Sequence, residues 1–254
     1  MEGSYSYQYP RPAVSTDCVI FGFNGKDINV LLVRRGNDPF KGILALPGGF
    51  LEPNETLEEC AKRELLEETG IKSINLRQYA VFSELERDPR TRVISVLFYG
   101  LLGPSAMESQ DICCGSDASE LKWMLLNEAM SNNNLAFDHR EAIVKAKETL
   151  SLALNREPVV FEMLDERFTI KQLQAIYEAL LNIEFDRANF HKKMVGDPVA
   201  AAKIKPSGRK KNTGIITDTG DVMKDTKHKP AKFYVFDYEK YNKLMEKKDF
   251  YFGF

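Results

Sequence analysis

The stretch from Gly48 to Ile71, GGFLEPNETLEECAKRELLEETGI, constrains the first two-thirds of the chain, because it joins a glycine loop to a short, heavily acidic helix. Thr56 is placed to cap that helix with Glu59 three residues on, and Gly70 is placed to end it in the left-handed conformation. Glu64, Glu67 and Glu68 stand at spacings of three and four, which sets their carboxylates on one side. The residues alone leave two readings open. One is a solvated acidic face built from a good helix former. The other is an oxygen-rich site for a hard cation, Mg2+ or Mn2+, shared with phosphate oxygens. Gly48 and Gly49, lacking side chains, suit the second reading because they let the backbone approach a metal or phosphate. Arg35 and Arg63 offer cationic support to the carboxylates or to a ligand.

The same segment resembles the Nudix box. Gly49, Glu55, Arg63, Glu64, Leu65, Glu67, Glu68, Gly70 and Ile71 fill every position of that pattern, with LPGGF leading in at Leu46 to Phe50. The resemblance implies an α/β/α sandwich with a mixed sheet. It makes Glu64, Glu67 and Glu68 metal ligands, the Gly48 carbonyl an additional one, and Arg63 and Glu55 residues that orient the acidic helix. The implied reaction is attack of metal-activated water on a diphosphate linked to another moiety X. Outside the box, Glu120 is a candidate carboxylate for metal or water, in competition with Glu108, Asp111 and Asp117.

A chain of 254 residues, 43% hydrophobic and 28% charged, is long enough for one large domain or two ordinary ones and reads as globular. No apolar run approaches the roughly 18 residues of a membrane span, and MEGSYSYQYPRP lacks the order of a signal peptide. A cytoplasmic location is therefore expected. Cys18, Cys60, Cys113 and Cys114 form no CxxC pair with companion histidines, and the three histidines are scattered, which argues against zinc. The formal charge of -2 conceals an asymmetry: residues 1–155 carry 16 basic and 22 acidic side chains, residues 156–254 carry 19 and 15. Within 200–232 the balance is nine basic to three acidic, the segment best suited to a polyanion.

In the first part, Ser15–Phe23 and Asn29–Arg35 read as neighbouring strands around a turn at Gly25–Asp27, and Ile43–Leu46 leads into the glycines. Ile74–Ser83 and Arg92–Leu102 supply two further strands, giving a mixed sheet enclosed by helices. The charged linker SELERDPRTRV between them is either a surface turn or a substrate-facing loop. Its RDPR resembles Nudix domains that act on ADP-ribose and those fused to DNA-binding domains, which makes Arg87 and Arg90 candidates for diphosphate contact. DASELKWM at Asp117–Met124 precedes a helix-bearing region, with Trp123 packing on the sheet or facing an adenine. The closing helix begins in LAFDHREAIVKAKETLSLAL, with Asp138 as its cap and His139 in an orienting role.

Beyond Pro158 the pattern changes. FTIKQLQAIYEALL carries a capping box at Thr169 and Gln172 with a Phe168–Leu173 staple, and FDRANFHKKM carries an Asp186 cap with a Phe185–Phe190 staple. Two such helices joined by a short turn fit a helix-turn-helix, with Arg187, Asn189, Lys192 and Lys193 available to solvent or DNA. The Gly-, Thr- and Lys-rich 204–226 stretch and a strand after Pro230 then resemble a winged helix. Its wing carries basic residues drawn from Lys203, Lys205, Arg209, Lys210, Lys211, Lys224, Lys227 and Lys229. The bland alternative is a lid or oligomerisation domain with solubilising lysines.

From about residue 12 to 238 the layout resembles Nudix-related transcriptional regulators, with an intact box where many such regulators are expected to have an eroded one. The resemblance implies a Nudix domain at 12–155, a winged helix-turn-helix domain at 156–240 and a tail at 241–254. The implied partners are double-stranded DNA and an ADP-ribose-like, sugar-nucleotide or related ligand, bound by a homodimer. The competing expectation is a metal-dependent hydrolase whose second domain serves recognition or assembly.

Overall fold

The computed structural model describes residues 8–108, 118–154, 156–196, 214–223 and 230–246. Strands β1 (Ala13–Phe23) and β6 (Val93–Leu102) are almost continuously buried, as expected for apolar runs covered on both faces. Among the described residues, seven strands form one sheet. Its central order is β3 (Leu44–Ala45), β2 (Ile28–Arg35), β1, β6, β5 (Arg77–Phe82), with β4 (Gly48–Phe50) paired to β1 and β7 (Ala118–Leu125) paired to β2.

Helix α1 (Leu57–Thr69) begins at a reciprocal capping box between Thr56 and Glu59 and stops at Gly70, whose φ of 75° is left-handed. Its Cys60, Ala61 and Leu65 are buried, so the apolar side of this acidic helix belongs to the core and the carboxylates are left on the other. The short helices α2 (Pro104–Met107) and α3 (Leu126–Ser131) follow β6 and β7, and α4 (His139–Ala153) closes this part of the chain.

The β7 segment contains Glu, Leu, Lys and Met, all good helix formers, yet it lies antiparallel to β2 with Trp123 opposite Leu31. Pairing with an established strand overrides that local preference. Trp123 is half-buried on this strand, in keeping with the packing alternative.

Among the described residues, one compact unit takes those up to Gly22, Asn29–Leu101, and those from Glu108 to Lys147. The second takes Phe23–Ile28, Leu102–Met107 and those from Glu148 onward. The division falls inside α4, whereas the charge balance changes near residue 155.

In the second unit, a 3-10 turn (Val159–Met163) precedes β8 (Phe168–Thr169), α5 (Ile170–Leu181) and α6 (Arg187–Val195). Thr169 and Gln172 cap α5 reciprocally, and Asp186 caps α6 by accepting from the Asn189 N–H. Phe185 and Phe190 meet at 5.5 Å between ring centres, the contact expected of the staple. Strands β9 (Ile216–Val222) and β10 (Lys232–Phe236) form an antiparallel hairpin, with β8 on the other side of β10. Helix-turn-helix followed by a hairpin is a winged-helix arrangement. Helix α7 (Tyr238–Glu246) follows, so the stretch expected as a tail from residue 241 begins within a helix.

The two capping boxes define a stability test. Thr56→Ala and Thr169→Ala each remove a cap and are expected to cost about 1 kcal/mol. Scanning calorimetry should then show the transition of the affected unit lowered by about 2–4 °C. An unchanged melting profile for either variant would contradict the capping assignment.

Candidate functional site

Arg63 organises the acidic helix. Its Nε and Nη2 donate to Glu55 at 2.9 and 2.7 Å, its Nη1 to Glu64 at 2.7 Å and Glu67 at 3.3 Å, and its Nη2 also to the Phe50 carbonyl at 3.2 Å. One guanidinium thus joins the helix to the loop that precedes it. Its hydrogen bonds hold the Glu55 carboxyl down at about 2, helped by the Glu52 N–H. Glu68 is instead met by the Gly48 N–H at 3.0 Å. Burial, with the charge of Glu64 adding to it, pushes Glu68 up to about 7 against that hydrogen bond. Burial also raises Glu64, opposed by Arg63.

The glycines are required by close approach. A Cβ on Gly49 would lie 2.2 Å from Glu64 Oε1, and one on Gly48 would lie 2.1 Å from the Thr16 carbonyl oxygen and 3.0 Å from Asp17 Oδ1. Strand β4 is registered on β1 with Thr16 opposite Gly49 and Asp17 opposite Gly48, which places the glycine strap between β1 and the carboxylates of α1.

The strap, Arg63, Glu64 and Glu68 line a cleft of about 480 Å³, together with Arg35, Phe50, Glu52 and Arg90. A recess of about 50 Å³ shares part of this wall and is lined also by Asp17, Arg87, Asp88, Phe137 and His139. Arg35 and Arg90 lie 4.9 and 5.7 Å from the centre of the Phe137 ring, and Arg90 is 5.1 Å from that of Phe50. Burial, then the nearby Arg90 cation, lowers the Arg35 guanidinium. Two guanidiniums held near one ring, with Asp88 bound to Arg90 at 2.7 Å, form a wall suited to an anionic ligand carrying a flat group.

Several expected site residues stand elsewhere. Glu67 does not line the cleft; its carboxylate is 55% exposed and faces Arg63, and no group of three metal-ligating side chains occurs among the described residues. The expected convergence of Glu64, Glu67 and Glu68 is divided, because Arg63 draws the first two and the Gly48 amide holds the third. Glu120 lies on β7 paired with Arg34 at 2.7 Å, outside the cleft lining. Arg87, expected against diphosphate, has a side chain only 4% exposed, bound to both Asp138 oxygens at 2.9 and 2.7 Å and to Asp17 at 3.4 Å. It braces the recess as an ion-paired residue. Asp138 still opens α4 through its carbonyl, which accepts from Ala142, while its carboxylate serves Arg87.

Sequence reasoning missed Asp17, Ser95, Asp88 and Phe137. The available signal was a carboxylate in the middle of the apolar VSTDCVIFGF run, since a buried charge needs partners. Asp17 accepts from Ser95 at 2.5 Å and from Arg87.

On the winged helix, Phe190 and Met194 of α6 are buried, while Arg187, Asn189 and Lys192 are exposed. Lys193 is half-buried, and burial lowers its ammonium. His191 bonds the Tyr234 hydroxyl at 3.1 Å, fixing α6 against β10. In the described part of the hairpin, Lys232 pairs with Asp218 at 2.6 Å and Arg167 of β8's approach pairs with Asp221. Lys203, Lys205, Arg209, Lys210, Lys211, Lys224, Lys227 and Lys229 lie outside the described residues. Among the described residues, no helix is long and apolar enough to cross a membrane.

Residues 11–146 match the NUDIX domain family, and residues 160–201 match the NrtR DNA-binding winged helix domain. The ADPR responsive transcriptional repressor NtrR of Acinetobacter baylyi is 32% identical over 236 residues, spanning 92% of this chain and 86% of that protein. The ADP-ribose pyrophosphatase of Methanocaldococcus jannaschii is 41% identical over 136 residues, 53% of this chain and 73% of its own length. Among solved structures, Shewanella oneidensis NrtR complexed with a 27mer DNA superposes with a TM-score of 0.67 at 28% identity, covering 88% of this chain and 93% of that one. The NUDIX domain of the same protein complexed with ADP ribose gives a TM-score of 0.50 at 30% identity, covering 56% and 90%. Because the NUDIX match takes in more than half of the chain and the A. baylyi relative matches nearly all of it, the chain belongs to the Nudix family, in the branch that carries an NrtR-type winged helix.

Proposed function

We propose that the chain is a DNA-binding transcriptional regulator that takes ADP-ribose, or a related sugar nucleotide, in the Nudix cleft and changes its hold on duplex DNA in response. The observation that carries this reading is the likeness to an ADP-ribose-responsive repressor across both domains, 92% of the chain. The cleft chemistry supports the ligand class. Arg35 and Arg90 offer charge to a diphosphate, and Phe50 and Phe137 offer flat apolar faces. We draw the Nudix domain at 12–155 and the winged helix at 156–240, and we take the protein to act as a homodimer, because two-fold operators are met by two-fold proteins.

The oxygen donors at the cleft, Glu64 and Glu68, are of the type a hard cation, Mg2+ or Mn2+, takes, and a Cβ on Gly49 would collide with the Glu64 carboxylate; Glu67, on the same helix, would join them on turning from Arg63 toward the cleft. A divalent cation bound by Glu64, Glu67, Glu68 and Gly48 would supply Lewis-acid charge to phosphate oxygens. Arg63 and Glu55 keep those carboxylates oriented while Arg35 and Arg90 face the ligand.

A second reading, diphosphate hydrolysis, is favoured by the complete box in this chain and by the pyrophosphatase relative. It adds to the regulator rather than replacing it. Glu64→Gln removes charge while keeping shape, and is expected to lower metal-dependent release of product from ADP-ribose at least about tenfold, a loss of 1.4 kcal/mol or more in transition-state stabilisation. Absence of any product from the unaltered protein with Mg2+ or Mn2+ would remove this second reading.

Two measurements address the main reading. By isothermal titration, Arg90→Ala is expected to weaken ADP-ribose binding at least about tenfold, the 1.4 kcal/mol scale of one charge-assisted contact. Equal affinity would remove Arg90 from the ligand wall. In DNA titrations over a range of salt, Arg187→Ala with Lys192→Ala is expected to reduce affinity and flatten the salt dependence by about 0.9 for each phosphate no longer neutralised. An unaltered slope would take α6 off the DNA backbone.

A further inference from the structure

The turn Ala136–His139 stands outside the Nudix box, yet it holds the segment that leads into the glycine strap. Leu44 and Leu135 form a parallel bridge, and the Ala136 N–H donates to the Leu44 carbonyl at 2.9 Å. Two residues beyond Leu44, the Leu46 N–H donates to His139 Nδ1 at 2.8 Å. A ring nitrogen that accepts from an amide carries no proton, so the neutral imidazole has its proton on Nε2, which lies 3.6 Å from Asp17 Oδ1. His139 is 3% exposed, and burial keeps it below its ordinary range against the pull of Asp17 and Asp138.

The same turn carries Phe137 at a φ of 52°, a left-handed conformation uncommon for a residue with a bulky side chain. That conformation goes with a ring that meets Arg35, Arg90, Phe40 and His139. Asp138, between Phe137 and His139, is anchored through Arg87 to Asp17, and Asp17 to Ser95 of β6. A chain of contacts therefore links β6, β1 and the start of α4 to the strap, with His139 as the member that touches the strap's entry.

We propose that His139 is a positioning residue, which through Nδ1 and the Leu46 amide sets the Leu46–Gly49 strap against Glu64 and Glu68 and so prepares the cleft for its cation and diphosphate ligand. The ligand part of this inference rests on the proposed function; the positioning part rests on geometry alone. In His139→Asn the side-chain oxygen takes the place of Nδ1 as acceptor for Leu46. In His139→Gln the amide reaches the place of Nε2 and leaves Leu46 without its acceptor.

Amide hydrogen exchange on the full chain reads the positioning directly. His139→Gln is expected to speed exchange at Leu46 and Gly48 at least about tenfold with α5 and α6 unaffected, and His139→Asn to stay within about threefold of the unaltered protein. Mn2+ binding by paramagnetic resonance and ADP-ribose binding by calorimetry should follow the same order, weakened at least about tenfold by Gln and retained by Asn, while ligand-free DNA affinity is unchanged in both. Equal losses in the Asn and Gln variants, or no change in exchange with Gln, would overturn the proposal. If the unaltered protein binds neither Mn2+ nor ADP-ribose while the exchange pattern is as expected, the reading of the cleft falls and the positioning role stands.

Discussion

The guanidinium of Arg63 is the interaction on which the cleft depends. It spans Glu55 before the helix, Glu64 and Glu67 along it, and the Phe50 carbonyl on the strap. Without that cation, carboxylates at spacings of three and four would repel one another, and the loop would be left with the Gly48 amide's bond to Glu68 and the Cys60 contact with Gly49 as ties to the helix. Arg63 is partly exposed, so its worth lies less in folding energy than in orientation: several oxygens are held by one planar, five-donor group whose geometry is rigid. Gly49 completes the arrangement by leaving the Glu64 carboxylate the volume that a Cβ would occupy.

What was legible in the sequence was local. The capping boxes at Thr56 and Thr169, the Asp186 cap and the left-handed Gly70 connect residues three or four positions apart, and each appears in the structure as the pattern predicts. The Nudix box was readable for the same reason, being a helix and the loop before it. The wall opposite was not. Asp17 meets Ser95 across 78 positions and Arg87 across 70, and His139 reaches Leu46 across 93, separations at which no periodic pattern identifies a partner. The RDPR segment marked Arg87 and Arg90 as a pair, but burial divides them: Arg87 braces the recess between two aspartates, while Arg90 stays at the cleft against two aromatic rings. Strand β7 was obscured because its residues favour a helix and only the presence of β2 makes it a strand.

The two units are built by different means for different partners. The first surrounds a cleft with paired and buried charges, a setting in which a ligand's phosphate meets groups already oriented. The second buries Phe190 and Met194 of α6 and leaves Arg187, Asn189 and Lys192 outward, so the polar face of this helix is presented without disturbing its own core. A regulator needs these surfaces to be energetically coupled, and coupling is reciprocal: any factor by which ligand changes DNA affinity must reappear as the factor by which DNA changes ligand affinity.

Closing that cycle tests the central claim most directly. ADP-ribose affinity measured with and without saturating duplex from the protein's own gene neighbourhood, and DNA affinity measured with and without saturating ADP-ribose, should each change by the same factor, of about five or more. Tight binding of both partners with no change in either affinity would contradict the account, leaving a Nudix cleft and a DNA-binding domain that share a chain without a regulatory connection.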